Sequence, residues 1–80
     1  MDEETDFYEM SLGQIRELRG LTKRELSRIT GISENSLYLI EEKGQIPRAD
    51  TLAKLCRALG ISAKQGLHSL GIDVSQIPNE

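Results

Sequence analysis

The sequence is poor in the residues that build cross-links and metal sites. It has one cysteine, one histidine and no tryptophan in 80 residues. A single cysteine cannot form an intrachain disulfide, and no cluster of Cys and His is present to hold zinc. No apolar run approaches the roughly 20 residues that cross a bilayer. We therefore expect no disulfide, no metal, no cofactor and no membrane-spanning segment.

The shortness of the chain also limits what it can do. Eighty residues suffice for one domain with one modest core, and a buried catalytic cavity is hard to support at this size. Cys56 and His68 could act as a nucleophilic pair only with a pocket and a third orienting group. We expect Cys56 to be a small buried side chain instead, and we expect no enzyme. The acidic amino terminus does not resemble an export signal, which together with the single cysteine predicts a cytoplasmic protein.

Charge is distributed unevenly along the chain. The formal net charge is −3, which argues against nucleic acid, because phosphate binding depends on Lys and Arg. Residues 1–9 hold five acids and no base, whereas residues 10–64 hold all ten Lys and Arg with six acids. A basic centre with a net charge of +4 therefore lies between acidic ends. We expect an acidic segment over residues 1–9, a folded domain over 10–71 and a tail over 72–80.

Helix signals recur at short intervals, and no run of alternating apolar and polar residues is typical of a strand. The predicted fold class is all-α, a compact bundle of five helices. Capping pairs and glycines mark the expected ends of these helices. The first helix is expected to begin at one of two capping pairs, Asp6 with Glu9 or Ser11 with Gln14, and to end at Gly20. The expected bounds of the other four helices are Thr22 to Gly31, Ser33 to Gly44, about Ala49 to Gly60, and Ser62 to Gly71.

The segment from Thr22 to Gly44 carries the functional signal. Two short helices joined by a few residues that include a glycine are typical of a helix-turn-helix unit. In the first helix, Leu26 and Ile29 are predicted to share the buried face. In the second, Leu37 and Ile40 are predicted to face the core. The opposite face of that second helix is left for an external partner and consists of Glu34, Asn35, Tyr38 and Leu39.

Beyond this unit, the order and spacing of residues 12–62 resemble the lambda-repressor-like or Cro-like (XRE) helix-turn-helix domains. The matching positions are Leu12, Ile15, Arg16, Gly20-Leu21-Thr22, Glu25-Leu26-Ser27, Gly31-Ile32-Ser33, Leu37, Ile40-Glu41, Pro47, Thr51-Leu52, Leu55 and Ala58-Leu59-Gly60-Ile61-Ser62. Two positions depart from the pattern. Lys23 stands where the family commonly has Gln, and Gly44 follows Glu41 by three residues rather than two.

The resemblance implies a five-helix DNA-binding domain whose third helix enters the major groove and whose dimers bind palindromic sites. It places Glu34, Asn35 and Leu39 at base edges, and it implies a structural salt bridge between Arg16 and Glu41. Asn35 suits adenine, Glu34 suits the amino group of cytosine, and Leu39 suits the thymine methyl group. The expected contacts to the DNA backbone are Thr22, Lys23, Arg24, Ser33, Tyr38, Lys43 and Arg48.

The sequence leaves alternatives open. Glu34 and Asn35 also fit a solvated first turn, and Tyr38 and Leu39 also fit a protein contact. The main hypothesis is sequence-specific binding of double-stranded DNA by a homodimeric transcriptional regulator, with repression favoured. The alternative is a protein-interaction module, an antitoxin or an adaptor, on the same fold. The apolar candidates for the dimer interface are Leu67, Leu70, Ile72, Val74 and Ile77.

Overall fold

The computed structural model describes residues 9–72, and within them it contains five α-helices and no strand. The helices are α1 (Leu12–Leu18), α2 (Lys23–Thr30), α3 (Glu34–Lys43), α4 (Ala49–Leu59) and α5 (Ala63–Ser69). The predicted all-α class with five helices is therefore confirmed. Most of the acidic segment 1–9 and of the tail 72–80, including the interface candidates Val74 and Ile77, lies outside the described residues.

Local side-chain hydrogen bonds explain where the helices begin. Ser11 and Gln14 form a reciprocal capping box at α1, so this pair begins the first helix. The Asp6 and Glu9 alternative falls partly outside the described residues. At α2, the hydroxyl of Thr22 accepts from Glu25 N at 3.0 Å, and the Glu25 carboxylate accepts from Thr22 N at 2.8 Å. Each bond satisfies a backbone group that the helix itself leaves unpaired.

The core is formed by apolar residues from α1 to α4 and the turn between α2 and α3. Its buried members are Leu12, Ile15, Leu26, Ile32, Leu37, Ile40, Leu55 and Leu59. Leu70, beyond α5, packs against this cluster. The core therefore holds α3 by one face and fixes which side of that helix points outward.

The prediction that Leu26 and Ile29 share the buried face of α2 is wrong. Leu26 is 1% exposed, whereas Ile29 is 60% exposed. Ile29 lies about 60° from Leu26 around the helix, and Thr30 lies about 40° away on the other side. Thr30 is half-buried, and the next apolar residue in the core is Ile32, in the turn. The helix is rotated so that the turn, and not Ile29, completes the core.

Helices α4 and α5 cross closely at Gly66. A Cβ atom added at Gly66 would lie 2.5 Å from Cys56 Sγ and 3.3 Å from Leu52 Cδ1, so a larger residue would collide. Cys56 is buried, as expected, and burial raises the pKa of its thiol. The cysteine therefore acts as a packing residue between two helices.

None of the helices within residues 9–72 has the length and apolar character needed to span a membrane.

Candidate nucleic-acid interface

The turn between α2 and α3 fixes how the two helices meet. Gly31 adopts a left-handed conformation with φ of 80°, and its N–H donates to Ser27 O at 2.8 Å. Such a backbone conformation is readily adopted only by glycine. Thr30 Oγ1 donates to Leu26 O at 2.7 Å and accepts from Ile32 N at 3.1 Å. The turn is thereby closed by hydrogen bonds before α3 starts at its cap, Ser33.

The two faces of α3 have opposite characters. Leu37 and Ile40 are buried in the core, as predicted. Glu34 and Asn35, in the first turn, are exposed on the outer side. Polar groups at the amino-terminal end of the helix are therefore free to meet a partner.

The two larger outer residues of α3 differ in exposure. Tyr38 is exposed, and Lys43 Nζ lies 6.0 Å from the centroid of its ring, at the limit of a cation–π contact. Leu39 is half-buried. Of the three residues expected at base edges, Glu34 and Asn35 are therefore exposed to solvent, whereas only part of the Leu39 side chain is accessible.

Two of the hydroxyl groups expected at the DNA backbone, those of Thr22 and Ser33, already make hydrogen bonds at the starts of α2 and α3. Thr22 Oγ1 caps α2, and Ser33 Oγ accepts from Ser36 N at 3.0 Å and lies 3.0 Å from Ser36 Oγ. These two residues first of all fix the helix starts. The unpaired backbone N–H groups at the starts of α2 and α3 form the positive ends of the helix dipoles, and these ends favour anions.

The basic residues expected at the DNA backbone lie at the ends of three helices. Lys23 and Arg24 begin α2, Lys43 ends α3, and Arg48 is the cap of α4. Arg24, Lys43 and Arg48 are exposed. Arg48 Nε lies 3.5 Å from Asp50 Oδ1, an exposed pair that contributes little to stability. These cations therefore come from the start of α2, the end of α3 and the start of α4.

A buried ion pair joins α1 to α3. Arg16 Nε lies 2.9 Å from Glu41 Oε2 and Arg16 Nη2 lies 3.1 Å from Glu41 Oε1, so the contact is bidentate. The two side chains are 9% and 5% exposed. Arg16 Nη1 also donates to Leu21 O at 2.8 Å. The hydrogen bond to Glu41 is the main reason why the pKa of Arg16 is raised, against the opposing effect of burial.

Sequence analysis missed two neighbours of this ion pair. A Cβ atom at Gly13 would lie 3.0 Å from Glu41 Oε1, so the small residue one turn before Arg16 makes room for the carboxylate. Glu42, next along α3, brings its Oε2 to within 4.0 Å of Lys23 Nζ. The replacement of the family's usual Gln by Lys23 was the one signal for an acidic neighbour at that place.

Within residues 9–72, no group of three or more His, Cys, Asp or Glu side chains is arranged to hold a metal ion.

Comparison with known proteins identifies the fold's family. A helix-turn-helix family model matches residues 12–65, which is more than half of the chain. Neither a curated protein nor a solved structure matches the chain significantly. The match starts at the first residue of α1 and ends within α5, so it covers the turn, the ion pair and the exposed face of α3. The chain therefore belongs to the helix-turn-helix family of lambda-repressor-like, Cro-like (XRE) domains, a non-enzymatic family of DNA-binding regulators.

Proposed function

We propose that this protein binds duplex DNA sequence-specifically by inserting the amino-terminal half of α3 into the major groove, and that it represses transcription in the cytoplasm as a homodimer. The observation that carries the proposal is the two-faced character of α3. Its inner face is buried through Leu37 and Ile40, while Glu34 and Asn35 are exposed in its first turn. In helix-turn-helix proteins it is the amino-terminal part of the second helix that contacts base edges.

The proposed base contacts follow from side-chain chemistry. The Asn35 amide can donate to adenine N7 and accept from its N6 amino group, which discriminates by about 1–3 kcal/mol. The Glu34 carboxylate can accept from cytosine N4, and elsewhere it is repelled by phosphate. Leu39, half-buried, offers an apolar edge to a thymine methyl group. Asn35 is therefore the main base-contacting residue of the proposal.

We assign the contacts to the DNA backbone to side chains of α3 and to side chains at the starts of α2 and α4. Lys23, Arg24, Lys43 and Arg48 supply charge, and Tyr38 supplies a hydroxyl. Thr22 and Ser33 contribute through the helix starts that they cap. Such contacts position the protein and carry no sequence information. Because the basic centre has a net charge of only +4, we expect modest affinity that falls steeply as salt rises.

The experiment is a selection from random duplexes, followed by binding measurements on the selected sequence over a range of salt concentrations. Half-sites about 10 base pairs apart, centre to centre, would support dimeric docking in successive major grooves. The logarithm of the affinity should fall against the logarithm of the salt concentration, with a slope of about −0.9 for each phosphate contacted. Absence of any enriched sequence, together with a flat salt response, would refute the proposal.

The homodimer is proposed to form through apolar residues at the carboxyl-terminal side. Leu67 and Ile72 are half-buried. Leu70 packs against the core, so its contribution to a second chain is limited. We expect Leu67→Lys combined with Ile72→Lys to halve the mass measured by light scattering. Leu18→Lys, which places the same charge at an exposed leucine of α1, is the matched control and should leave the mass unchanged.

A second candidate function, a protein-interaction module, is favoured by one surface feature. The exposed side chain of Ile29 borders a groove that Lys54, Arg57 and Ala58 also line. An apolar side chain beside two cations suits an acidic protein segment better than it suits DNA. The selection experiment distinguishes the two functions, because a module that binds only protein enriches no duplex.

A further inference from the structure

Lys23, proposed to contact a phosphate, already has an anionic neighbour within the protein. Its ammonium nitrogen lies 4.0 Å from Glu42 Oε2, across the gap between the start of α2 and the end of α3. The Lys23 side chain is 32% exposed and the Glu42 side chain is 54% exposed. Both groups therefore reach the solvent, and Lys23 is one of the residues proposed to contact the DNA backbone.

Besides its pair with Lys23, Glu42 also acts on Arg16, because its negative charge is one of the causes that raise the pKa of Arg16. Glu17, Glu41 and Glu42 line the same cleft as Arg16. The Arg16 guanidinium is bound bidentately by Glu41, and Glu17 Oε2 lies 4.0 Å from Arg16 Nη2. Glu42 therefore shares Arg16 with two other acids, whereas its own ion pair, at 4.0 Å, is with Lys23.

A carboxylate and a phosphate are both oxyanions that bind an ammonium group, so they compete for Lys23. A phosphate bound by Lys23 would also lie near Glu42 and be repelled by it. Two unit charges about 6 Å apart in water repel each other enough to lower an affinity about threefold. The repulsion is larger where DNA excludes water from the gap.

We propose that Glu42 is an affinity-determining residue: it serves as an internal counterion for Lys23 in the free protein, and a DNA phosphate must displace it. This inference rests on the proposed DNA-binding function and adds to it. When a phosphate displaces Glu42, the freed carboxylate attracts a cation from solution, and this uptake offsets the cation that the Lys23 contact releases from the DNA. The slope of the logarithm of affinity against the logarithm of salt concentration is then smaller in magnitude than the number of bound phosphates predicts, by about the contribution of one phosphate contact.

The test is a double-mutant cycle on the full chain, with Glu42→Gln, Lys23→Ala and both together. Affinity is measured by fluorescence anisotropy on the selected duplex and on a scrambled duplex, at several salt concentrations. Glu42→Gln should tighten binding to both duplexes by about threefold or more. It should also steepen the logarithmic salt slope by up to about 0.9. In the Lys23→Ala background the same substitution should have a much smaller effect.

Glu17→Gln is the matched control, because it removes an equal charge from the same cleft at a position beside Arg16 rather than Lys23. Circular dichroism confirms that each variant remains folded. Glu42→Gln would overturn the inference if it left affinity unchanged, or if its gain were equalled by Glu17→Gln or persisted in full without Lys23. Specific binding by the wild-type protein would leave the proposed function standing in either case. If the wild-type protein bound no duplex even at low salt, both would be overturned.

Discussion

Removal of the Glu41 carboxylate should destabilise the domain far more than removal of an exposed acid. Glu41→Ala leaves the Arg16 guanidinium, whose side chain is 9% exposed, without its bidentate partner. Breaking a buried pair by removing one partner costs about 3–5 kcal/mol, because a desolvated charge remains. Arg16 keeps its hydrogen bond to Leu21 O and has Glu17 nearby, so we expect the lower end, about 3 kcal/mol.

The assay is urea unfolding followed by circular dichroism, together with thermal unfolding. For a domain of this size, about 3 kcal/mol corresponds to a fall in Tm of roughly 12 °C or more. Glu17→Ala is the control, because Glu17 is the other acid beside Arg16 but is 74% exposed. Its pair with Arg16 should contribute no more than about 1 kcal/mol.

The double variant Arg16→Met with Glu41→Met separates the pair from its parts. Replacement of both partners by apolar side chains leaves no uncompensated charge, so it should cost much less than the two single changes added together. If Glu41→Ala costs less than about 1 kcal/mol, like Glu17→Ala, the ion pair is not buried in solution. It would then not be the ion pair that fixes α3 against α1.

Two further predictions concern the crossing of α4 and α5 and the capping box of α2. Gly66→Ala should lower the free energy of unfolding in urea by about 1–3 kcal/mol, because the added methyl group collides with Cys56 Sγ at 2.5 Å. Adding Cys56→Ala should recover part of that loss. Equal stability of Gly66→Ala and the wild-type protein would contradict the close crossing of α4 and α5. The hydrogen bond from the Thr22 backbone N–H lowers the pKa of Glu25. The stabilisation from this carboxylate is therefore fully present above the pKa of Glu25 in the unfolded chain, about 4.3, and is lost as pH falls through the lower folded value. NMR titration should give a pKa for Glu25 in the folded protein below its ordinary value. Glu25→Gln should remove this part of the acid dependence of stability. A Glu25 pKa that is not lowered would contradict the capping box.

Short-range features of the fold were predictable from sequence because their causes are local. The capping residues Thr22 and Ser33 and the left-handed Gly31 act within three or four residues of the backbone groups they satisfy. The burial of Leu37 and Ile40 followed from helical spacing. The sequence therefore predicts that the first turn of α3 faces outward.

Features that depend on how the helices pack against one another were harder to predict from the sequence. A helix of eight residues such as α2 has too few apolar positions to fix its rotation. Helical spacing therefore predicts Ile29 in the core, where the structure has Ile32 instead. The distance between Lys23 and Glu42 depends on how α2 and α3 cross, and the fit of Gly13 against Glu41 depends on how α1 packs on α3. Neither spacing is encoded by periodicity along one helix.

The most direct test of the central claim is a comparison of base preferences between Asn35→Ala and Lys23→Ala. Both variants are put through the same selection from random duplexes as the wild-type protein. We predict that Asn35→Ala relaxes preference at one base position in each half-site, at a cost of about 1–3 kcal/mol on the preferred duplex. Lys23→Ala should leave the preferred sequence unchanged and make the salt slope no steeper. An unchanged preference in Asn35→Ala, or the same change in both variants, would contradict the claim that the exposed first turn of α3 determines the DNA sequence bound.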